Sequence, residues 1–320
     1  MIVTLTANPS LDRTVELRGP LARGEVQRAV SVRQESGGKG VNVSRALKTS
    51  GLETLAVLPG DPGDPVLAGM AATGVPFAAL PIGAALRSNL ALTEPDGITT
   101  KVNEPGPELS FDLQEDLLDL LVERSRGASW VVLAGSLPPG VPDDFYATAA
   151  KRLRAAADGA APRIAVDSSG APLAASLKGS PELLKPNADE LAELAAMVGM
   201  RDAGSPAELE ASPARAAAAA RALVDSGVGA VLATLGSQGA VLVTAHGAWH
   251  ATHSPIKAVS TVGAGDSSLA GFLLADSTGA DDEGRLRQAV AHGAAAASLP
   301  GSTVPAVNQT TPSAVTVTAL

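Results

Sequence analysis

Apolar and polar positions along the chain follow a repeating order, in which a short buried strand alternates with an amphipathic helix. The strand-like runs are continuous and β-branched, whereas the helical segments carry apolar residues at helical spacing, as Leu113, Leu117 and Leu121 do. The pattern predicts strands at 2–7, 54–58, 130–134, 164–167, 183–185 and 230–234, and helices at 40–50, 111–124, 143–157, 188–198, 213–226 and from about 265 and 284. Such alternation predicts an α/β fold with a mostly parallel central sheet and helices on both faces.

Two segments, about 13–35 and 86–103, interrupt this rhythm. Both alternate polar with apolar residues, and in the second a Pro95-Asp96-Gly97 turn joins two strand-like runs. We expect them to form a small, half-exposed sheet that covers a cleft as a lid; two long surface hairpins are the alternative. The last residues, about 300–320, show no clear period, which leaves open a final strand or a loosely ordered tail.

The composition of the 320 residues excludes several classes of protein. The chain contains no cysteine, so disulfides, thiolate zinc sites, iron–sulfur clusters and cysteine nucleophiles are ruled out. A net charge of −9 disfavours non-specific binding to nucleic acid or to anionic membranes. No apolar run approaches the ~20 residues of a membrane span, and the first residues lack the basic segment of a secretory signal. We therefore expect a cytoplasmic protein that acts on small molecules.

The segment 261–267, TVGAGDS, places small residues and one acidic residue just before an apparent helix. The backbone N–H groups of Gly263, Ala264 and Gly265 can converge there, and the positive end of the helix adds to their attraction for a phosphoryl group. Because a carboxylate repels phosphate, Asp266 is better suited to act as a general base that takes a proton from an attacking hydroxyl. The alternative is that Asp266 only caps the helix.

A second glycine-rich segment, SGGKGVNVS at 36–44, lies at the start of the first predicted helix. It resembles part of a P-loop, but Gly40 follows Lys39 where that motif needs Ser or Thr to hold Mg²⁺. Gly38, Lys39 and Asn42 still offer bare backbone, one cation and one amide, which suit a phosphorylated substrate with several hydroxyls. An ordinary glycine turn before a helix is the alternative.

A third segment, KPNADE at 185–190, joins a predicted strand to a helix. Asn187 and Glu190 are three residues apart at the helix start, so they face the same way. Their oxygen atoms could organise Mg²⁺ through water, and the alternative is a capping box in which each side chain bonds the backbone of the other. The two interpretations do not exclude each other.

The segment 234–239, TLGSQG, follows a predicted buried strand, where α/β folds often place nucleotides. No G-x-G-x-x-G opens a helix after the first strand, which disfavours a dinucleotide-dependent oxidoreductase. The four histidines lack the spacing of a zinc site.

Six segments in this order resemble the ribokinase/PfkB family of sugar kinases over roughly residues 1–305. They are NPSLD at 8–12, GGKGVNV at 37–43, GSLPPG at 135–140, VDSSG at 166–170, KPN at 185–187 and GAGD at 263–266. The resemblance implies a single kinase domain over 1–320, with a ribokinase-like, Rossmann-like core and a β-sheet lid formed by the two insertions. It also implies ATP and Mg²⁺ as cofactors, and transfer of the γ-phosphoryl group to a sugar hydroxyl.

The resemblance also implies roles for individual residues. Asp266 is then the catalytic base, and Gly263, Ala264 and Gly265 form the anion hole. The residues expected to bind substrate are Asp12, Gly38, Lys39, Asn42, Arg87, Lys101, Asn103 and Ser136, of which Arg87, Lys101 and Asn103 meet the phosphate already on the sugar. The residues expected around ATP are Lys185, Asn187, Thr234, Gly236, Gly239 and Gly265, and those near Mg²⁺ are Asn187 and Glu190.

Within the family, the chain most resembles the bacterial kinases of fructose 1-phosphate, partly through KVNEPG at 101–106. Fructose 6-phosphate and tagatose 6-phosphate are the alternative substrates, and a sugar-phosphate or nucleotide sensor without activity is the non-enzymatic alternative. Because aromatic residues make up only 2% of the chain, we expect the adenine ring to lie between aliphatic side chains and glycine backbone. A lid with one apolar face also suggests a homodimer formed through the lid.

Overall fold

The computed structural model describes residues 1–200 and 202–320. Its strands are β1 (Ile2–Thr6), β2 (Ser10–Leu17), β3 (Ala29–Gly37), β4 (Thr54–Pro59), β5 (Phe77–Leu80), β6 (Arg87–Thr93), β7 (Thr99–Asn103), β8 (Trp130–Ala134), β9 (Arg163–Asp167), β10 (Leu183–Leu184), β11 (Ala230–Thr234), β12 (Ala240–Thr244), β13 (Gly247–His253) and β14 (Val315–Ala319). Its helices are α1 (Lys39–Thr49), α2 (Pro65–Ala72), α3 (Phe111–Arg124), α4 (Phe145–Ala155), α5 (Gly170–Ser176), α6 (Ala188–Met197), α7 (Pro206–Ala211), α8 (Pro213–Asp225), α9 (Ala264–Ser277) and α10 (Asp282–Ala297). Among the described residues, no helix combines the length and the apolar character needed to span a membrane.

The large sheet has the strand order β14-β13-β12-β11-β10-β9-β8-β1-β4-β5. Within this sheet the strands β11, β10, β9, β8, β1, β4 and β5 are parallel to one another. The strands β12, β13 and β14 continue the sheet in antiparallel pairs. The predicted α/β fold with a mostly parallel sheet is therefore confirmed. Because parallel strands need a crossover between them, the alternation of strands and helices along the sequence already implied this arrangement.

Helices cover both faces of the large sheet, and each buried strand contributes to both layers. In β8, Val131 and Leu133 pack in the cluster that contains α3, α4, α6 and α8. Trp130 and Val132 point the other way, into the cluster that contains α1, α9 and α10. This division follows from the two-residue period of a strand, and it explains why these strands are apolar at every position.

The small sheet has the strand order β3-β2-β6-β7 and is formed by the two polar insertions. It extends beyond the predicted 13–35, since β2 begins at Ser10 and β3 ends at Gly37. The register places Asp12 beside Asn89, and Asn89 beside Asn103, so one face of the sheet carries a row of polar residues. The opposite face carries apolar residues from all four strands, and we call these two surfaces the polar and apolar faces of the lid.

The C-terminal segment ends in the final strand that was one of the two alternatives left open by the sequence. Residues 300–314 form a loop with short 3₁₀ turns, whereas Val315–Ala319 forms β14 and pairs antiparallel with β13. The strand alternates Val and Thr, and Val315 is buried against the layer that contains α10. The last residues therefore complete one edge of the large sheet.

Candidate active site

The segments that the sequence identified as functional meet at one edge of the large sheet. The strands β1, β8, β9, β10 and β11 are parallel, so their carboxyl ends lie at the same edge. The amino-terminal ends of α1 and α9 point to that edge, since Lys39 in α1 contacts Asp167 at the end of β9, and Asn42 contacts Asp266 in α9. Ligands of open α/β sheets bind in this position.

Asp266 is buried in the first turn of α9, and its carboxylate points towards α1. Gly263 precedes the helix with a φ of 75°, a conformation that favours glycine. The Asp266 carboxylate accepts a hydrogen bond from Asn42 Nδ2 at 2.9 Å, so its partner is a side chain of another helix. Burial and the nearby charge of Asp167 raise the pKa of Asp266 to about 6. A raised pKa in a cleft is typical of an acid–base catalyst.

Two lysines enclose a buried carboxylate beside Asp266. Lys39 Nζ lies 2.7 Å from one oxygen of Asp167, and Lys185 Nζ lies 3.0 Å from the other. Burial alone would raise the pKa of Asp167, but the charges of Lys185 and Lys39 outweigh burial and lower it. Burial would likewise lower the pKa of Lys39, yet Asp167 and Glu190 raise it. Lys39 therefore stays cationic next to the amino-terminal end of α9.

Asp167 is a candidate functional residue that was not among the individual residues expected from the sequence. It belonged to the VDSSG segment, but nothing in its local pattern distinguished it from other polar residues after a strand. One signal was present: it is an acidic residue that ends an apolar strand at the edge where ligands bind. Its two lysine partners became visible only in the folded chain.

Asn187 and Glu190 form the capping box that the sequence offered as one interpretation. The Asn187 side chain accepts a hydrogen bond from the Glu190 backbone N–H at 2.8 Å, and Glu190 Oε2 accepts one from the Asn187 N–H at 2.9 Å. The other oxygen, Glu190 Oε1, lies 3.2 Å from Lys39 Nζ. The cap therefore holds both side chains at the edge of the site, and their expected role near Mg²⁺ stays a prediction.

Glycine at the start of α1 allows the helix to lie directly against the end of β1. Gly38 has a φ of 110°, and a Cβ atom there would come within 2.7 Å of Thr6 Cγ2. A Cβ atom on Gly40 would meet Thr6 Oγ1 at 2.4 Å. The glycines of this segment are therefore required for close packing, and that packing brings Lys39 and Asn42 to the site.

Arg87 at the base of the lid lies with its guanidinium among polar groups of the core domain. Its Nε donates to the backbone oxygen of Asn8 at 3.2 Å, its Nη1 donates to the oxygen of Glu104 at 3.1 Å, and its Nη2 lies 3.5 Å from Ser136 Oγ. The Asn8 amide also reaches Ser136 Oγ, at 3.4 Å. The fold thus brings together two predicted residues, Arg87 and Ser136, and adds Asn8.

Three further predicted residues share the polar face of the lid. Asp12 accepts hydrogen bonds from Ser10 Oγ at 2.7 Å and from Asn89 Nδ2 at 3.0 Å, and burial raises its pKa against the lowering effect of these bonds. Lys101 and Asn103 lie exposed on the edge strand β7, at positions that point to the same face as Asp12. The structure therefore places these three expected residues on one face of the lid, with β7 at its edge.

The nucleotide segment lies next to Asn187. The Thr234 N–H donates to the oxygen of Pro186 at 3.0 Å, which joins the ends of β10 and β11. Gly236 begins a 3₁₀ turn with a φ of 53°. At Gly239 a Cβ atom would meet the oxygen of Ala251 at 1.9 Å, so packing against β13 already requires glycine there. A role in ATP binding for Thr234, Gly236 and Gly239 stays a prediction.

A cavity of about 250 Å³ lies between α10, the end of β13 and the C-terminal loop. Its lining is mostly small or aliphatic and comprises His253, Ile256, Ala291, Ala294, Ala295, Ser298, Leu299, Gln309 and Thr311. The chain that follows Ile256 bonds to α10 through Val259 and leads to Gly263 at the amino-terminal end of α9. Sequence reasoning did not find this cavity, because its walls come from three separated segments.

Comparison with known proteins identifies the family to which this arrangement belongs. The model of the pfkB family of carbohydrate kinases matches residues 5–309. An ATP-dependent 6-phosphofructokinase isozyme 2 of Mycobacterium tuberculosis is 36% identical over 307 residues, 94% of this chain and 85% of that protein. A 1-phosphofructokinase of Xanthomonas campestris is 35% identical over 306 residues, 90% of this chain and 88% of that protein.

The comparison of structures agrees with the comparison of sequences. The crystal structure of phosphofructokinase-2 from Escherichia coli in complex with potassium superposes with a TM-score of 0.85 and 30% identity, and the match covers 96% of each chain. The fold class and the sugar-phosphate kinase activity predicted from the sequence are both confirmed. The chain belongs to the pfkB family of carbohydrate kinases.

Proposed function

We propose that this kinase transfers the γ-phosphoryl group of ATP to D-fructose 1-phosphate, giving D-fructose 1,6-bisphosphate and ADP. The observation that carries the proposal is the position of Asp266. It is a buried carboxylate with a raised pKa at the glycine-rich start of α9, hydrogen-bonded to Asn42 and close to two lysines. Phosphoryl transfer needs positioning and charge neutralisation more than covalent chemistry, and these groups provide both.

In the proposed reaction, Asp266 accepts the proton of the attacking sugar hydroxyl. The hydroxyl oxygen forms a bond to the γ-phosphorus, and the bond from that phosphorus to the β–γ bridging oxygen breaks, so ADP leaves with the electron pair. The backbone N–H groups of Gly263, Ala264 and Gly265 stabilise the charge that develops on the transferred group. Lys185 also lies there, with its Nζ 3.2 Å from where a Cβ of Gly265 would be.

The residues near the proposed metal position fit Mg²⁺ by their chemistry. Asn187 and Glu190 offer amide and carboxylate oxygens, and the carboxylates of Glu190 and Asp167 lie around the same ammonium group of Lys39. We propose that Asn187 and Glu190 hold Mg²⁺ through water, with Asp167 beside them. A bound Mg²⁺ supplies positive charge to the ATP phosphates, while the protein residues hold the nucleotide and sugar in line.

The cavity between α10 and β13 is the proposed site of the adenine ring. The path from Ile256 to Gly263 links this cavity directly to the anion-binding end of α9, and the segment that carries Thr234 and Gly236 approaches from β11. Its walls are aliphatic apart from His253 and a few polar side chains. The aliphatic part of this lining supports the expectation for the adenine ring, whereas the glycine backbone that was also expected is not among these residues.

Two observations favour fructose 1-phosphate as the substrate. One is the sequence of the segment 101–106, through which the chain resembles the kinases of fructose 1-phosphate; in the structure this segment lies beside Arg87, which donates to the oxygen of Glu104. The other is the presence of 1-phosphofructokinases among the curated relatives, such as the protein from X. campestris. Fructose 6-phosphate is the second candidate, because the M. tuberculosis relative is named a 6-phosphofructokinase.

Steady-state kinetics with three sugar phosphates test the substrate assignment. We expect kcat/KM with ATP and Mg²⁺ to be higher for fructose 1-phosphate than for fructose 6-phosphate or tagatose 6-phosphate. A preference for fructose 6-phosphate would overturn the assignment but keep the kinase mechanism. Binding of sugar phosphate and ATP without turnover would instead support a sensor.

We further propose that two copies associate through the apolar faces of their lids. Val32 and Val102 lie on this face and are 50% and 55% exposed, and the register places Val15 and Leu92 on the same side. An apolar sheet face of this kind is stabilised when a second copy covers it.

The cytoplasmic location suggested by the sequence stays a prediction.

A further inference from the structure

Arg45 lies behind the proposed catalytic base and is not part of any segment that the sequence singled out. It follows Asn42 by three residues on α1, so the two side chains share one face of the helix. Its Nη1 lies 3.5 Å from Asn42 Oδ1 and 3.4 Å from the backbone oxygen of Ser36. Its side chain is only 13% exposed, which keeps water from replacing these contacts freely.

The contact with Arg45 decides how the amide of Asn42 is oriented. An amide has one acceptor oxygen and one donor nitrogen, and Asn42 lies between a carboxylate and a guanidinium group. With Nδ2 donating to Asp266 and Oδ1 facing Arg45, both contacts are attractive. Rotating the amide by half a turn would place its oxygen against the carboxylate and its N–H groups against the cation.

Arg45 is itself held by Glu35 of the lid, which in turn contacts the C-terminal loop. Glu35, on the polar face of the lid, lies with Oε1 3.7 Å from Arg45 Nη2. The other oxygen of Glu35 accepts a hydrogen bond of 2.5 Å from Ser302 Oγ, in the loop after α10. Ser302 in turn packs against Gly263, with its Cα 3.9 Å from where a Cβ of Gly263 would lie. These contacts join the lid, α1 and the C-terminal loop around the start of α9.

From this arrangement we infer that Arg45 is a positioning residue: held by Glu35 of the lid, it orients the amide of Asn42 so that it donates to Asp266. The inference rests on the proposed role of Asp266 as the base. Arg45 acts only through Asn42, and Glu35 links the orientation of Asn42 to the position of the lid. A change in the lid strand β3 is thereby transmitted to the base through the side chains of Glu35, Arg45 and Asn42.

The test compares Arg45→Met and Glu35→Gln with a matched pair of controls. Arg152 of α4 and Glu115 of α3 form another arginine–glutamate pair, 2.6 Å apart, so Arg152→Met and Glu115→Gln remove a similar contact outside the lid and the site. We expect Arg45→Met to lower kcat on the order of 10-fold to 100-fold, as a small misplacement of catalytic groups does. Glu35→Gln should act in the same direction with a smaller effect, and the controls should keep wild-type kcat.

The pH dependence of kcat/KM separates positioning from a merely structural role. Asp266 faces Asn42 and Lys39 of α1, Asp167 of β9 and Lys185 after β10, and the hydrogen bond from Asn42 lowers its pKa. If Arg45→Met lets the amide rotate, that bond is lost, and the acidic limb of the profile should move to higher pH. If the contact between Arg45 and Glu35 is purely structural, Arg45→Met should lower Tm but leave unchanged both kcat per folded molecule and the acidic limb of the pH profile. That result would overturn the inference.

Two further outcomes keep the result decisive. If Arg45→Met does not fold, Glu35→Gln carries the test, and wild-type kcat with a wild-type acidic limb in that variant overturns the inference. Asp266→Asn is measured in the same series. Loss of turnover there together with wild-type turnover in Arg45→Met overturns the positioning role alone, whereas wild-type turnover in Asp266→Asn overturns the base assignment and the positioning role with it.

Discussion

At the scale of single residues, Asp266 shows how the site makes a carboxylate basic. Burial and the neighbouring charge of Asp167 disfavour its ionised form, while Lys185, Lys39 and the Asn42 hydrogen bond favour that form. The balance leaves a carboxyl group that is ionised at neutral pH but binds a proton more readily than an exposed aspartate. Such a pKa suits a base that must first take a proton and then release it.

Replacing Asp266 with asparagine tests its role directly. We expect kcat to fall by about 100-fold to 10,000-fold, the usual contribution of a general base, while KM for both substrates changes little. Because the folded protein disfavours the charge of Asp266, the neutral variant should be at least as stable as wild type at pH 7. Kinetics and thermal unfolding measure the two effects, with Asp116→Asn on the surface of α3 as the control. Wild-type kcat in Asp266→Asn would contradict the assignment.

The pH profile of the wild-type enzyme should show the same carboxyl group. The base must be ionised, so kcat/KM should fall as the pH drops through about 6, the pKa of Asp266. The sugar phosphate has its own ionisation near pH 6, and a ³¹P titration of the free substrate supplies the correction. A corrected profile that stays flat down to pH 5 would be inconsistent with a raised pKa.

At the scale of elements, α10 forms one wall of the proposed adenine cavity with alanine side chains. Ala294 and Ala295 line the cavity, and their small size leaves the space open. The same helix packs closely on α9, since a Cβ atom on Gly271 would meet the oxygen of Gln288 at 2.5 Å. The Ala-rich sequence of α10 therefore serves both close helix packing and an open cavity.

Enlarging Ala295 to leucine should weaken the binding of ATP. Overfilling a packed space costs about 1–3 kcal/mol, so KM for ATP should rise by roughly 5-fold to 160-fold. KM for the sugar phosphate should change little, since its expected residues lie on the lid and at the start of α1. Ala214→Leu, on the exposed side of α8, is the control for a larger helix side chain. An unchanged KM for ATP would place the adenine ring elsewhere.

At the scale of the whole molecule, the apolar face of the lid determines the proposed assembly. A glutamate in place of Val32 or Val102 would bring a charge into the interface between two lids, where burial without a partner is costly. We expect these variants to be monomers by light scattering, while the wild type has twice the chain mass of 31.8 kDa. Val26→Glu is the control, since Val26 is 94% exposed and lies in the loop between β2 and β3. A monomeric wild type would contradict the dimer.

The sequence by itself determined the fold class, because the periods of strands and helices depend on neighbouring residues. It also identified the glycine-rich segments before α1 and α9, together with Asp266, since backbone freedom and helix ends are local properties. The capping box of Asn187 and Glu190 was one of two interpretations that the sequence allowed, and the structure contains it.

Only the tertiary structure decided which of these segments act on one another. Lys39 and Asp167 are 128 positions apart, and Asn42 and Asp266 are 224 positions apart. Their contacts depend on how layers of helices pack on the sheet, which no local period specifies. The final strand, the cavity beside α10 and the contact between Arg45 and Asn42 became visible for the same reason. Each is a relation between distant segments, and the free energy of packing, not local preference, brings those segments together.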